Sequence, residues 1–265
     1  VRILLIDGLN LIRRIYAGQP DTTETAQTEA TATQSLRAIQ QNIDRFRPSH
    51  AVLAMEYSRH NWRRKYLPTY KVDRPTMPAA LRNGLSNIVN RIAYAGVYEV
   101  SADGFEADDV IATLAQGVVK HTAQVIILST DRLMCQLSGP STRVYDHFGR
   151  TMLDQEFCLQ RYGVLPQDLI SYFALVGNHG VGIEGVSGIG RKTAARLITE
   201  HGSLEQILTA AELMPGRIGK VLRQGAGEAR VAQRLFTLRH DARLGINLSH
   251  FRLQKKDRHQ DGLKK

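Results

Sequence analysis

The sequence predicts an α/β fold, a mostly parallel central sheet with helices on both faces, followed by a helical second part. Three observations carry this. Residues 3–6 (Ile-Leu-Leu-Ile), 51–55 (Ala-Val-Leu-Ala-Met) and 125–128 (Val-Ile-Ile-Leu) are short apolar runs without alternation, as in strands buried on both faces. Stretches of helical spacing lie between them. Near residue 165 this alternation stops and helical patterns take over.

In order, the first strand ends at Asp7, and Gly8 permits a tight turn into a helix. Asn10 reads equally as a helix cap or as a hydrogen-bonding group at the strand end. Residues 18–33 are polar and rich in Thr, Ala and Gln, which predicts a loop or the approach to a helix around Leu36, Ile39 and Ile43. The second strand ends at Glu56. A basic segment follows, with Arg59, His60, Trp62, Arg63, Arg64, Lys65, Tyr66, Tyr70, Lys71 and Arg74, in which Pro68, Pro75 and Pro78 limit regular helix. Leu81, Leu85, Ile88 and Ile92 predict a helix over 81–95, then a strand over 97–100. Val110, Ile111, Leu114, Ala115 and Val118 predict a helix directly after Glu106, Asp108 and Asp109. Strand 125–128 runs through Ser129 and Thr130 into Asp131, and 142–145 reads as another strand. Helices are predicted over 168–176, 191–200, 204–211 and 231–240. The expected units are therefore 1–165, α/β, and 166–253, helical, with 254–265 a charged, aperiodic, disordered tail.

The acids carry the chemistry. Asp7, Glu56, Glu106, Asp108, Asp109 and Asp131 come from four segments, at or just after strand ends or at a helix start. In open α/β sheets ligands bind beyond the carboxyl ends of the strands. Acids at a helix start also serve as caps, but a third acid there forces like charges together. Hard oxygen ligands gathered this way suit Mg²⁺ or Mn²⁺. Lys plus Arg number 35 against 25 acids, a net charge of +10, so the surface away from this cluster is strongly basic and fits a phosphate-rich polymer. Aromatics interleaved with cations over 59–74 fit a grip on unpaired bases and phosphates, against the plainer reading of a solvated charged loop. Gly185, Gly188 and Gly190, followed by Arg191, Lys192 and Thr193 at a helix start, fit a backbone phosphate, against a purely structural helix–helix turn. The spacing is not that of a P-loop. Cys135 and Cys158 lack metal-type spacing and read as reduced thiols; with no apolar run of membrane-spanning length, the expectation is a cytoplasmic protein.

Together, Asp-Gly-x-Asn, an acid after the second strand, Arg63 with Tyr70-Lys71 and Arg74, Glu-Ala-Asp-Asp, Ser-Thr-Asp, and Gly-Val-x-Gly-Ile-Gly-x-Lys-Thr-Ala resemble the 5′ nuclease (flap endonuclease) family, in particular its short exonuclease IX-like bacterial branch. The resemblance covers residues 3 to about 253. It implies a sheet carrying the metal site, a helical arch at about 57–90, and a helix–three-turn–helix module on duplex DNA. It places Asp7, Glu56, Glu106, Asp108, Asp109 and Asp131 on a first Mg²⁺ cluster. Arg63, Tyr70, Lys71 and Arg74 fall on the strand-handling arch, and Gly188, Ile189, Gly190, Arg191, Lys192 and Thr193 on the duplex-binding hairpin. It also implies a K⁺ held by main-chain oxygens of Leu175, Val176, Glu184, Val186 and Ile189. Leu133, Asn178 and Val181 stand where second-cluster carboxylates are usual, and Glu56 where Asp is usual, so one firmly bound divalent ion is expected.

The function this implies is hydrolysis of phosphodiester bonds at a 5′ end or flap of branched DNA by a monomer, with Asp7, Asp108, Asp109 and Asp131 at the ion and Lys71 and Arg63 offsetting transition-state charge. Two rivals stand beside it: a branched-DNA-binding protein with weak or no cleavage, and an RNA-cleaving α/β nuclease, which would not need the hairpin at 185–194.

Overall fold

The computed structural model describes residues 1–20, 23–57 and 60–254; the expected tail beyond 254, and Arg59, lie outside them. The chain runs β1 (Arg2–Asp7), α1 (Gly8–Ala17), α2 (Glu24–Phe46), β2 (His50–Ala54), α3 (Trp62–Tyr66), α4 (Ala79–Tyr94), β3 (Tyr98–Val100), α5 (Ala107–Val119), β4 (Gln124–Leu128), β5 (Thr142–Asp146) and β6 (Thr151–Met152). After it come α6 (Gln155–Tyr162), α7 (Leu169–Val176), the short pair β7 (Gly177–Asn178) and β8 (Ile183–Glu184), then α8 (Arg191–His201), α9 (Leu204–Ala211), α10 (Gly216–Gln224) and α11 (Ala226–Phe236).

The main sheet has the order β3-β2-β1-β4-β5-β6, parallel except for β6. Register decides where the acids go. Ile6 lies opposite both Leu53 and Leu128, and Asp7 opposite Ala54, so Asp7, Glu56 and the 129–131 turn leave the sheet at one edge. Along β1, Leu4 and Ile6 pack against α1, α2 and α4 through Leu11, Ile12, Ile39, Leu81 and Ile88. Ile3 and Leu5 face the opposite layer, where Val110, Ile111 and Leu114 of α5 begin an apolar cluster. That cluster continues without interruption into Leu169, Leu175, Ala194, Leu197 and Phe236, so the helical part shares a core with the sheet.

The structure settles or changes three expectations. Of the two readings of residues 18–33, the approach to a helix holds from Glu24 on, where the first turns of α2 begin, capped by Thr23. Its buried stripe is Thr28, Thr31, Ala32 and Ser35, small residues that bring α4 so close that a Cβ on Gly84 would lie 2.2 Å from Thr28 Cγ2. An apolar periodicity search misses such a stripe. The helix expected over 231–240 is Ala226–Phe236, and at Thr237 the backbone turns extended. The segment that follows then docks on α5: Arg239 N donates to Asp109 Oδ1 at 3.0 Å, and Ala242 N to Thr113 Oγ1 at 3.3 Å. α6 and α10 were not expected, because only Cys158 of the one and Gly219 and Leu222 of the other are buried.

Candidate metal centre and nucleic-acid interface

The acidic run at 106–109 divides between the two readings given it. Glu106 is the N-cap of α5 and Asp109 closes a capping box, accepting from Glu106 N at 3.2 Å. Asp109 is wholly buried, and both oxygens are spent on protein donors: Arg63 Nη1 at 2.7 Å, Arg63 Nη2 at 3.0 Å, Trp62 Nε1 at 3.0 Å and Arg239 N. In this arrangement Asp109 has no oxygen left open to an ion; the pair is an internal ion bridge that ties α3, α5 and the 237–242 segment together. Glu106 is buried too, and its four lone-pair directions accept from Asn61 Nδ2 (3.1 Å), Lys71 Nζ (2.8 Å), Arg63 Nη1 (3.1 Å) and the Tyr70 hydroxyl (3.0 Å). It too stands here as an anchor for donors rather than an open ligand.

The other four acids differ. Asp7 caps α1, with Oδ1 accepting from Asn10 N at 3.3 Å and Oδ2 from Ser129 Oγ at 2.7 Å. Burial, then the charges of Asp131 and Glu56, push its carboxyl up to about 7 despite the Ser129 bond. Asp108 is held well above the usual carboxylate range by burial, Asp131 and Asp7. Glu56 is raised by burial and Glu106, against the pull of Lys71 and Arg74. Asp131 accepts from Leu133 N at 2.8 Å while its own N–H donates to Ser129 Oγ at 3.0 Å. Asp7, Glu56, Asp108 and Asp131 thus repel one another in a desolvated place, as groups prepared for a cation do. Among the described residues, no group of three or more His, Cys, Asp or Glu side chains is drawn together closely enough to hold a metal ion as placed. Asn10 is neither cap nor free: its Oδ1 accepts from Thr130 N at 3.2 Å and Thr130 Oγ1 at 3.0 Å, pinning the 129–131 turn.

The basic segment is rearranged as well. Arg63 is 2 % exposed and Tyr70 3 % exposed, so neither reaches a nucleic acid; the first holds Glu106, Asp109 and the Leu235 carbonyl, the second holds Glu106. Burial works to lower the Arg63 guanidinium's pKa, and Asp109 and Glu106 outweigh it. The small cavity at Glu56 is bordered by Lys71, Arg74, Arg64 and Arg13, with Tyr70 in its wall; Arg64 was named in the basic segment but not singled out, for want of any distinguishing pattern. Lys71 adopts a left-handed backbone (φ 54°), which costs about 1–2 kcal/mol. Its N–H donates to Val181 O at 3.0 Å, and that bond sets the ammonium toward Glu106. Val181 therefore contributes its main chain, while Asn178 turns its own loop by accepting from Gly180 N. Leu133 and Asn178 line a groove on the far side of Asp131. Asn61 was missed in the sequence, and Trp62 and Ser129 were named there without these roles; each acts across the fold, with no local signature.

The glycine turn builds the second surface. Gly185 sits where a Cβ would lie 2.4 Å from Leu175 O, and Val186 N donates to that carbonyl at 2.8 Å, which brings the 175–176 and 184–189 backbones together. Gly188 has φ 86°. α8 starts after Gly190 without a side-chain cap, leaving its first N–H groups beside exposed Arg191 and Lys192. Val186 and Ile189 are buried, so only their main chains face outward chemistry.

Comparisons place this arrangement. Residues 2–163 match the 5′-3′ exonuclease N-terminal resolvase-like domain and residues 164–259 the 5′-3′ exonuclease C-terminal SAM fold. Curated relatives called flap endonuclease Xni include that of Aeromonas salmonicida (strain A449), 38 % identical over 94 % of this chain and 96 % of its own. That of Vibrio cholerae is 36 % identical over 95 % and 96 %. Among solved structures, T5 5′-exonuclease with bound zinc is similar at a TM-score of 0.78 and 20 % identity over 89 % of each chain. The catalytic core of Rad2 with a DNA substrate gives 0.54 and 14 % over 91 % of this chain and 80 % of that one. No helix among the described residues is long and apolar enough to cross a membrane.

Proposed function

The chain belongs to the 5′-3′ exonuclease family through both of its parts, and from that premise we propose how its residues serve the activity. It is a metal-dependent, structure-specific 5′ nuclease, a flap endonuclease that hydrolyses phosphodiester bonds in DNA with a 5′ flap or branch. The observation that carries the residue assignment is that Asp7, Glu56 and Asp108 are all raised by desolvation and by neighbouring carboxylates, Asp131 among them. These four would hold Mg²⁺ or Mn²⁺, which would supply polarisation of the scissile phosphate and a more acidic water. Lys71, fixed by Glu106 and Val181, presents its ammonium to the phosphate as negative charge grows there. Burial acts to lower the Lys71 pKa, and Glu106 with Asp108 outweighs it, so the ammonium stays charged. Arg74 and Arg64 take flanking phosphates at the cavity mouth. Arg191, Lys192, Thr193 and the free N–H groups of α8 hold a duplex phosphate, with Gly188 and Gly190 letting the backbone approach. A K⁺ on the main-chain oxygens of Leu175, Val176, Glu184, Val186 and Ile189 would link that turn to the same strand.

A second reading, flap binding with slow cleavage, is favoured by one feature: Leu133, Asn178 and Val181 offer no carboxylate beside Asp131. One experiment separates the two. A labelled 5′-flap duplex is incubated with Mg²⁺, Mn²⁺ or chelator, alongside a binding titration. Metal-stimulated cleavage near the branch supports the nuclease. Binding without cleavage at any metal concentration would select the second reading.

A further inference from the structure

On the face of the sheet opposite the helical part, the second half of α2 and the turn joining β5 to β6 border an open cavity of about 620 Å³. Small-molecule sites ordinarily measure about 300–1,000 Å³. The turn is held in place from within: Phe148 N and Gly149 N donate to Asp146 Oδ1 at 3.0 and 2.9 Å, and Arg150 takes a left-handed backbone at φ 51°. Asn42, 1 % exposed, ties the turn to α2, its Nδ2 donating to Ala38 O at 2.7 Å and to His147 Nδ1 at 2.9 Å. An amide nitrogen so placed makes Nδ1 an acceptor, which leaves the imidazole proton on Nε2. Burial and Arg150 hold the His147 pKa below its ordinary value, so the ring is neutral near pH 7. Two cations line the same cavity. Arg45 rests its guanidinium over the Tyr145 ring at 5.2 Å, and neither Arg45 nor Arg150 forms an ion pair among the described residues. Asp44, the acid in the wall, accepts from Gln40 Nε2 at 2.8 Å. Phe148 stands beside them, 40 % exposed, with the Arg14 guanidinium over its ring at 5.6 Å. A single surface arginine or ring needs no ligand. Here two unpaired cations, an exposed ring and a buried amide–imidazole clasp line one cavity.

We infer that this cavity is a nucleotide site, in which Arg45 and Arg150 hold the phosphate of a free nucleoside monophosphate and Phe148 carries its base. Guanidinium forks match phosphate oxygens, and every base has a face on which an aromatic ring can stack. Gln41, whose amide both donates and accepts, serves the edge of the base. Inorganic phosphate would use the cations alone and leave most of the volume to water. The cavity includes none of Asp7, Glu56, Asp108 and Asp131, and it lies on the other side of the sheet from Val186 and Ile189 of the glycine turn. It is therefore separate from both the metal centre and the duplex contact. Hydrolysis at a 5′ end releases molecules of this class, but the site itself does not depend on the nuclease reading.

The test uses the full chain in chelator, so that no cleavage occurs. Deoxyadenosine 5′-monophosphate, deoxyadenosine, inorganic phosphate and a 5′-phosphorylated trinucleotide are titrated by calorimetry into the wild type, Arg150→Gly, Phe148→Ala and Lys71→Ala. The monophosphate should bind saturably, with deoxyadenosine and phosphate at least about tenfold weaker, since each lacks one of the two contacts. Arg150→Gly should weaken the monophosphate about 5–20-fold, as for one charged hydrogen bond. Phe148→Ala should weaken it roughly fivefold or more, as for one stacked base. Glycine accepts the left-handed backbone at position 150 and Phe148 is exposed, so the fold should survive both changes; equal melting midpoints check this. If a midpoint falls, Arg45→Gln takes that variant's place, with the same expectation as Arg150→Gly. Lys71→Ala should bind as the wild type does. The inference would be overturned by no saturable binding, by inorganic phosphate binding as tightly as the monophosphate, or by wild-type affinity in both Arg150→Gly and Phe148→Ala. A loss confined to Lys71→Ala would also overturn it and place the nucleotide at the metal centre. A trinucleotide bound no more tightly than the monophosphate supports a free nucleotide as occupant; much tighter binding would overturn that choice in favour of an unpaired strand. Failure of the wild type to cleave a 5′-flap duplex in Mg²⁺ would count against the nuclease reading alone, and the titrations in chelator would still decide the site.

Discussion

Arg63→Met tests whether the most buried cation of the basic segment grips DNA or holds the fold. The guanidinium makes four hydrogen bonds: two to Asp109, one to Glu106 and one to the Leu235 carbonyl, at 2.7–3.1 Å. Methionine fills much of the volume and removes all four. Asp109 keeps Trp62 Nε1 and two backbone N–H donors but loses its counter-charge in a place with no solvent. Removing one partner of a buried pair costs about 3–5 kcal/mol, chiefly through the charge left behind. At roughly 2–4 °C per kcal/mol for chains near this size, the melting midpoint should fall by about 6–20 °C. Circular dichroism on heating measures it, with urea unfolding as a check. Arg63→Met with Asp109→Leu should recover part of the loss, since the stranded carboxylate is gone. A midpoint within a degree of wild type, together with lost DNA binding, would refute the argument and return Arg63 to the strand-handling surface.

Three further outcomes are expected. Asp108→Ala should abolish metal-stimulated cleavage while flap binding, measured in chelator, stays within a fewfold of wild type; undiminished cleavage would remove Asp108 from the centre. Lys192→Ala should weaken binding of duplex-containing DNA and lower the salt slope by about one, with purely single-stranded DNA unaffected; equal losses on both would displace it from the duplex contact. With Asp7 ordinarily near 3.8 and pushed up to about 7, the folded chain keeps a proton between those values that the unfolded chain has released. Stability of the metal-free protein should therefore decline as pH rises through that window, and Asp7→Asn should flatten the decline. His50 and His147, both lowered by burial, act in the opposite sense near pH 6, so the difference between wild type and Asp7→Asn is the quantity to follow. A wild-type decline no steeper than that of Asp7→Asn would contradict the electrostatic account of the site.

The sequence by itself determined the sheet and the edge of it that matters. Runs such as 3–6 and 125–128 are apolar without alternation because both faces are covered, and an acid directly after such a run has only the carboxyl edge to occupy. It likewise marked the turn at 185–190, where glycine is required by contacts as close as 2.4 Å. What tertiary structure alone decided is which charges face outward. Asp108 and Asp109 are neighbours of one type, yet a helix sets successive side chains about 100° apart, and only one of the two directions leads to Arg63, Trp62 and the 237–242 segment. Arg63 and Arg64 divide in the same way: one guanidinium is buried against two carboxylates, and the other borders the cavity at Glu56. The start of α2 stayed hidden because its packed face is threonine, serine and alanine, whose burial depends on how closely α4 approaches and not on their own hydrophobicity. Composition and spacing report how far a residue prefers to leave water; which neighbour receives a charge once it is out of water is settled by segments a hundred and more positions away, as Arg239 N and the Leu235 carbonyl are for Asp109 and Arg63.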